Sequence, residues 1–331
     1  MPNHPTRRAA IASALALPLL SRSRAFAATT AAGDYPAKPI RLIIPFLAGG
    51  AADIVARIVA QNISEMFGQP VICDNRPGAG GNVGTELAAK TPADGYTLLI
   101  QGNPLGSNVF LFKSTDYDPI KSFDPIAMHY RDYNVLIVHP TFPANSVAEL
   151  IALAKKRPGE LTFASSGNGT STHLAGELFN DMAGTKITHV PYRGVPPAVT
   201  DVMGDRVNMM FAGFGVVSGY IKAGTLKALA VTGLHRLKQA PDLPTLAESA
   251  LPGFDVTTWT GLFAPAGTPQ PIVAKLNTAV NAILQKPEIL AGLEGRGFIV
   301  ELYTPERVSQ EVKHDMDVLG GLIKRTGITV D

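Results

Sequence analysis

The sequence predicts an α/β fold in two domains, each a parallel sheet covered by helices. Short apolar runs alternate with segments of helical period, and glycine-containing loops lie between them, which is the repeating βαβ order of a parallel sheet. At 331 residues the chain has room for two domains of about 150 residues, each large enough to bury a core. With 46% hydrophobic and 17% charged residues it is too apolar for a disordered chain. Its single cysteine, Cys73, excludes an internal disulfide framework and any multi-cysteine metal site.

Each element follows from local pattern. Ile40–Ile44 is an apolar run ending at Pro45, a buried strand. Beyond Gly49-Gly50, apolar residues from Ile54 to Phe67 recur at helical spacing, and Gly68 stops the helix. Val71–Cys73 is a strand, Asn82–Lys90 a helix, and the turn at 92–95 leads into strand Tyr96–Ile100. Strand Val135–Val138 stops at Pro140. A capping box of Ser146 with Glu149 opens a helix to Lys156, which Pro158-Gly159 ends. The alternation resumes with strands at Leu161–Ala164, Ile187–Val190, Val207–Phe211 and Leu226–Val231, and helices at Thr172–Met182 and Pro196–Met203. The tail is helical, over Ile272–Leu284 and again after Thr304, with Pro305 at the first position. The character of the chain changes near 130–140 and again near Pro252–Pro265.

Residues 1–27 read as an export signal rather than part of the fold. Arg7, Arg8, Arg22 and Arg24 flank the apolar stretch Ala9–Leu20, and Ala25-Phe26-Ala27 fits a cleavage site. Such a stretch spans only about 18 Å as a helix, against a bilayer core of about 30 Å. Arg7-Arg8 leaves both the twin-arginine and the general export route open. No later run approaches 18 uninterrupted apolar residues, so the mature chain is expected to be soluble. The whole chain has a net charge of +2; without residues 1–27, which hold four arginines and no acid, 25 basic residues face 27 acidic ones, a net charge of −2. No basic cluster remains to follow a phosphate backbone, so nucleic-acid binding is excluded.

Ligands of open α/β sheets sit beyond the carboxyl ends of the strands. Here those ends carry small and polar segments at 45–53, 75–82, 165–173 and 191–194, four helix starts suited to an anion. Catalytic motifs fail. Val83 and Thr172 break the two possible dinucleotide fingerprints, and no phosphate-loop, zinc-protease or nucleophile-elbow motif occurs. No two of the seven histidines stand four apart, so no metal is expected. Arg193 is the best single grip for a carboxylate, which a guanidinium can bind through two hydrogen bonds. In that role, Arg193→Ala would cost roughly 1.5–3 kcal/mol of affinity; a solvated loop arginine is the other reading. His173 opens a helix, as a ligand donor or as a packing group. Asp53 reads as a helix cap.

The chain resembles the solute-binding proteins of tripartite tricarboxylate transporters, the TctC or Bug family. The likeness rests on six segments in order: 45–53 with Arg57, 74–81, 92–97, 166–170 with His173-Leu174, 189–194 and 261–269. It implies a type II periplasmic binding protein fold, α/β, two lobes with parallel-rich sheets and a ligand cleft at the hinge. Lobe 1 would comprise 34–137 plus 258–331, and lobe 2 would comprise 138–257. The first lobe would hold a carboxylate through Phe46, Ala48, Gly49, Gly50 and Asp53, with Asn103 nearby. The second would contribute Ser165, Ser166, Gly167, Thr170, Ser171 and His173, and then Tyr192, Arg193 and Gly194. Met209-Met210-Phe211 leads into Ala212 and Gly213, an apolar wall for the ligand body.

The expected function is a periplasmic receptor for a small organic carboxylate. It would deliver that ligand to membrane permease subunits, as a monomer, with no cofactor, no metal and no catalytic residue. Two rivals are an exported enzyme acting on carboxylates, with His173 or Asp53 as base, and a ligand sensor for a signalling partner. The enzyme needs a nucleophile–base pair that the sequence does not display.

Overall fold

An apolar strand without alternation needs cover on both faces. In the computed structural model of the protein, which describes residues 35–328, strand β1 (Ile40–Ile44) gets it. Ile40, Leu42 and Ile44 pack into one core, with helix α1 (Ala51–Phe67), while Ile43 packs into another on the opposite face. Gly68 ends α1 in the left-handed region at φ 66°, as its position predicted. β1 pairs in parallel with β2 (Val71–Asn75) and β3 (Thr97–Gly102), with α2 (Asn82–Ala89) between them in the chain.

A second parallel set follows. β5 (Thr162–Ser165) lies between β6 (Thr188–Pro191) and β7 (Met209–Gly213). Helices α4 (Val147–Lys156), α5 (Ser171–Ala183) and α6 (Val195–Met203) are interleaved with these strands. The Ser146 hydroxyl accepts from Glu149 N–H, but the Glu149 carboxylate reaches Asn145 N–H instead of closing the box. The complete capping box opens the short helix α8 (Leu246–Ser249), between Thr245 and Glu248.

Two long antiparallel strands join the sets, so the sheet is parallel only in its flanks. β4 (Phe123–Val138) and β9 (Thr257–Pro265) give the strand order β2-β1-β3-β9-β4-β7-β5-β6, and β8 (Lys227–Val231) also pairs with β4. β4 pairs with β9 from Phe123 to Tyr133 and with β7 and β8 from Asn134 to Val138. The change of partner therefore comes at 133/134, a few residues before the predicted boundary at 138. Only the last four residues of β4 had the appearance of a strand, because His129, Arg131, Asp132 and Asn134 interrupt its apolar pattern.

Helices α3 (Asn103–Leu111) and α7 (Phe214–Lys222) were not expected from the sequence. Each starts on the residue after a strand ends, leaving no turn to announce it. The tail adds α9 (Gln270–Leu284), α10 (Pro287–Glu294) and α11 (Pro305–Thr326), the last capped by Thr304 with Pro305 at its first position. Leu319, Leu322 and Ile323 of α11 pack with Leu111 of α3 and Leu174 of α5, which ties the two parallel sets together. No helix among the described residues is long and apolar enough to cross a membrane. The predicted export signal lies outside the described residues.

Candidate functional site

Five helices begin where a parallel strand or a strand-end loop stops: α1, α3, α5, α6 and α7. Their first residues meet over the middle of β4 and the start of β9 and enclose about 90 Å³. That is room for roughly six to nine water-sized groups. None of the five has a side-chain cap on its N-terminal N–H groups. Helices α4, α8 and α11, which open elsewhere, are capped by Ser146, Thr245 and Thr304. Uncapped first-turn N–H groups are unmet donors and carry the positive end of the helix dipole. α6 contributes least, since Pro196 and Pro197 leave only the Val195 N–H in its opening residues.

Six hydroxyls line the cavity, from Ser166, Thr170, Ser171, Thr172, Thr258 and Thr260. Thr170, Thr258 and Thr260 give their protons to Gly167 O, Ser171 Oγ and Tyr130, which leaves Ser171 and the Ser166–Thr172 pair to turn a proton towards a ligand. The Tyr130 hydroxyl accepts from Thr260 Oγ1 at 3.1 Å, which leaves its own proton free, and burial pushes its pKa up so that it stays protonated. Apolar walls come from Phe46, Leu47, Val195, Val216 and Trp259. Among the described residues that line the cavity there is no lysine, arginine or histidine. The one acid is Asp132, 1% exposed, with no hydrogen bond of normal geometry to either oxygen. Burial raises its pKa well above the carboxylate range, and the nearby Tyr133 and Phe214 N–H groups offset only part of that.

Of the residues singled out from the sequence, the cavity gathers Phe46, Gly50, Asn103, Ser166, Thr170, Ser171, Gly194 and Gly213. Gly167, Tyr192 and Arg193 border an adjoining recess with the 78–81 loop. Arg193 is exposed there, and Tyr192 donates its hydroxyl to Asp201 at 2.6 Å. Ala48, Gly49, Asp53, Ser165, His173 and Ala212 do not line the cavity.

Several of these serve it at one remove. Asp53 is a brace more than a cap. It accepts from Gly49 N–H at 3.0 Å, Arg57 at 2.9 Å and Asn75 at 2.9 Å, and Asn75 also donates to Phe46 O. Burial opposes its charge, but the hydrogen bonds from Arg57, Asn75 and Gly49 outweigh it and hold the pKa low. The loop from Phe46 to Gly49 is thereby fixed in front of α1. The Asn103 amide donates to Thr257 O and to Asp315, and its oxygen accepts from Trp259 N–H, pinning the start of α3 to β9.

His173, Glu177 and His189 bring ligand-capable atoms within 4.8 Å of one another. The rings of His173 and His189 are stacked at 4.1 Å, so their in-plane lone pairs run side by side instead of converging on an ion. His173 Nδ1 is taken by Gly169 N–H, and the Ser165 hydroxyl lies 2.6 Å from His189 Nε2. The serine of this contact is out of reach: Ser165 is 0% exposed and away from the cavity, while His189 is half-buried. His189, with its pKa lowered to about 3 by burial and by His173, is a poor base at neutral pH.

The sequence reading missed Tyr130, Asp132, Asn134 and Thr258–Thr260, all on β4 and β9. No motif marks them. Their signal was a chance to read 123–138 as one long strand, from which Tyr130, Asp132 and Asn134 share a face by alternation.

Similar structures sharpen the picture. One is a Rhodopseudomonas palustris protein, Rpa4515, with adipate: TM-score 0.87, 35% identity, over 90% of this chain and 100% of that one. The periplasmic binding protein BugD superposes with a TM-score of 0.85 at 34% identity, over 89% of this chain and 100% of that one. MatC from Rhodopseudomonas palustris with bound malate gives 0.84 at 31%, over 87% and 100%. The fold is the two-lobed α/β fold of periplasmic binding proteins. Residues 55–328 match the family described as the tripartite tricarboxylate transporter family receptor, and the chain belongs to that family.

Proposed function

We propose that the protein is an exported receptor that captures a small organic carboxylate between two lobes and delivers it to the membrane subunits of a tripartite tricarboxylate-type transporter. The observation that carries this is the convergence of uncapped helix N-termini and hydroxyls on one cavity with no cation and no accessible nucleophile–base pair. A carboxylate there is met by dipoles aimed at it in advance, at the starts of α1, α3 and α5. The bound adipate and malate of two similar structures support this ligand class, and the family supports the transporter partner. The periplasm is the compartment the proposed export signal implies.

In this reading lobe 1 is 34–137 plus 258–331 and lobe 2 is 138–257, with β4 and β9 as the crossing strands. Contacts across the cavity hold the lobes together: Ser107 Oγ donates to Gly169 O at 3.0 Å, and Thr258 Oγ1 to Ser171 Oγ at 2.8 Å. A ligand touching both sides shifts the population towards this arrangement.

A calorimetric and thermal-shift screen of the purified mature protein over mono-, di- and tricarboxylates tests the proposal. A saturating ligand at a hundredfold excess over Kd should stabilise by about 2.7 kcal/mol. Turnover of a bound carboxylate, or the absence of any carboxylate ligand, would overturn it.

A further inference from the structure

The cavity has donors in excess and almost no strong acceptor. Around it stand the N-termini of five helices, the Ser171 hydroxyl, the Ser166–Thr172 pair and the Tyr130 proton, whereas Asp132 brings the one carboxyl group. Asp132 sits mid-cavity on β4, two residues from Tyr130 and two from Asn134, so the three share a face of the strand. Its carboxyl is wedged against the start of α7, where a Cβ on Gly213 would overlap Oδ2. It is 1% exposed, and neither oxygen has a hydrogen-bond partner of normal geometry.

A buried carboxyl without a partner is costly to keep, and no neighbouring side chain relieves the cost. It is explained if the missing partner arrives with the solute. A dicarboxylate would set its second acid against Asp132, and like charges in a dry site repel. A protonated amine supplies up to three N–H donors and the opposite charge, the complement of an orphaned carboxylate. The apolar lining of Phe46, Leu47, Val195, Val216 and Trp259 suits a short carbon spacer.

We propose that Asp132 sets the specificity of the cavity, and that the solute it selects is an amino carboxylate: its carboxylate on the helix N-termini, its ammonium on Asp132. This rests on the carboxylate-receptor reading and narrows it. Asp132 then regains its charge beside the ammonium, and the α7 N-terminus, with the Phe214 N–H close by, favours that charge as well.

The test is isothermal calorimetry of the mature protein, its Asp132→Asn variant and its Asp132→Ser variant, with folding checked by circular dichroism. The probes are matched by chain length: succinate, glutarate and adipate against 4-aminobutanoate, 5-aminopentanoate and 6-aminohexanoate, with the corresponding diamines as a third arm. The expected result is that one amino acid binds the wild type about tenfold or more tighter than its matched dicarboxylate, and that both variants abolish the preference. A dicarboxylate that binds the wild type as tightly overturns the assignment. That is also what a neutral Asp132 donating its proton to a ligand carboxylate would give. A preference that survives in both variants overturns it too. Diamine binding that depends on Asp132, with every carboxylate silent, would keep the ammonium site without its carboxylate partner and so overturn the amino-carboxylate assignment. Silence in all three arms overturns it too, and the carboxylate-receptor reading then stands or falls by the wider screen of mono-, di- and tricarboxylates.

Discussion

Replacing Asp315 by asparagine removes a titrating group from beneath the cavity while keeping its shape. Asp315 lies on α11, 7% exposed, and its Oδ2 accepts from Trp259 Nε1 at 2.7 Å and from Asn103 Nδ2 at 2.9 Å. Through those two bonds it holds a cavity wall and the start of α3. Burial pushes its pKa up to about 7; the hydrogen bonds from Trp259 and Asn103 and the charge of Arg131 pull against this, and Glu311 adds to the rise. The folded-state value exceeds the unfolded one, so the native state binds the proton more tightly. The stability this contributes is complete below the unfolded pKa and is lost as pH rises through about 7. At about 1.36 kcal/mol per unit, the rise from 3.8 to about 7 is worth about 4 kcal/mol in all, of which about 2.6 kcal/mol falls between pH 5 and 8. Asparagine does not titrate and keeps an oxygen for both donors. Urea unfolding of both proteins at four pH values between 5 and 8 should show the variant gaining about 2.5 kcal/mol on the wild type across that range. Two stability curves that run parallel would refute the placement of a protonated acid under the cavity.

Three further outcomes are expected. Gly80→Ala should weaken ligand binding by roughly tenfold or more and lower Tm as well, because Gly80 sits at φ 60° and a Cβ there would overlap the backbone Asn168 O across the adjoining recess. Calorimetry beside a thermal melt reads both quantities. Arg193→Ala should change affinity by less than about threefold, since an exposed side chain bordering the adjoining recess gives up little on removal; a loss of 1.5–3 kcal/mol, the range for a charged grip, would return Arg193 to the binding site. His129→Leu should improve stability in acid, because His129 is buried with both ring nitrogens unpartnered and its pKa is lowered by burial to about 4. Its contribution is present above pH 6.5 and lost as pH falls through about 4, a span worth up to about 3 kcal/mol by chemical denaturation, and the leucine variant should not show it.

How much of this was legible in the sequence depends on the range of the signal. β1 and α1 were readable to the residue at nearly every end, because an apolar run closed by a proline and a helical repeat closed by a glycine are local facts. The loops that meet at the cavity were legible for the same reason: glycines and small polar residues between a strand and a helix carry their own explanation. α3 and α7 left no such mark, since each starts on the residue after a strand. β4 was hidden by Arg131 and Asp132, which look like a solvated loop until the fold supplies their surroundings. Arg131 is matched there by Glu301 and Glu311, each at 2.7 Å and about 170–180 positions away.

The sequence alone determined the alternating elements, the family likeness and the glycine-rich helix starts, because backbone period and turn chemistry are properties of neighbours in the chain. Only the tertiary structure decided which helix N-termini face one another, that Arg193 borders the adjoining recess, that Asp53 and His173 support loops without touching the cavity, and that Asp132 is left buried without a partner. Those are outcomes of pairing between strands far apart in sequence, and burial is set by such pairing, not by the residue that undergoes it.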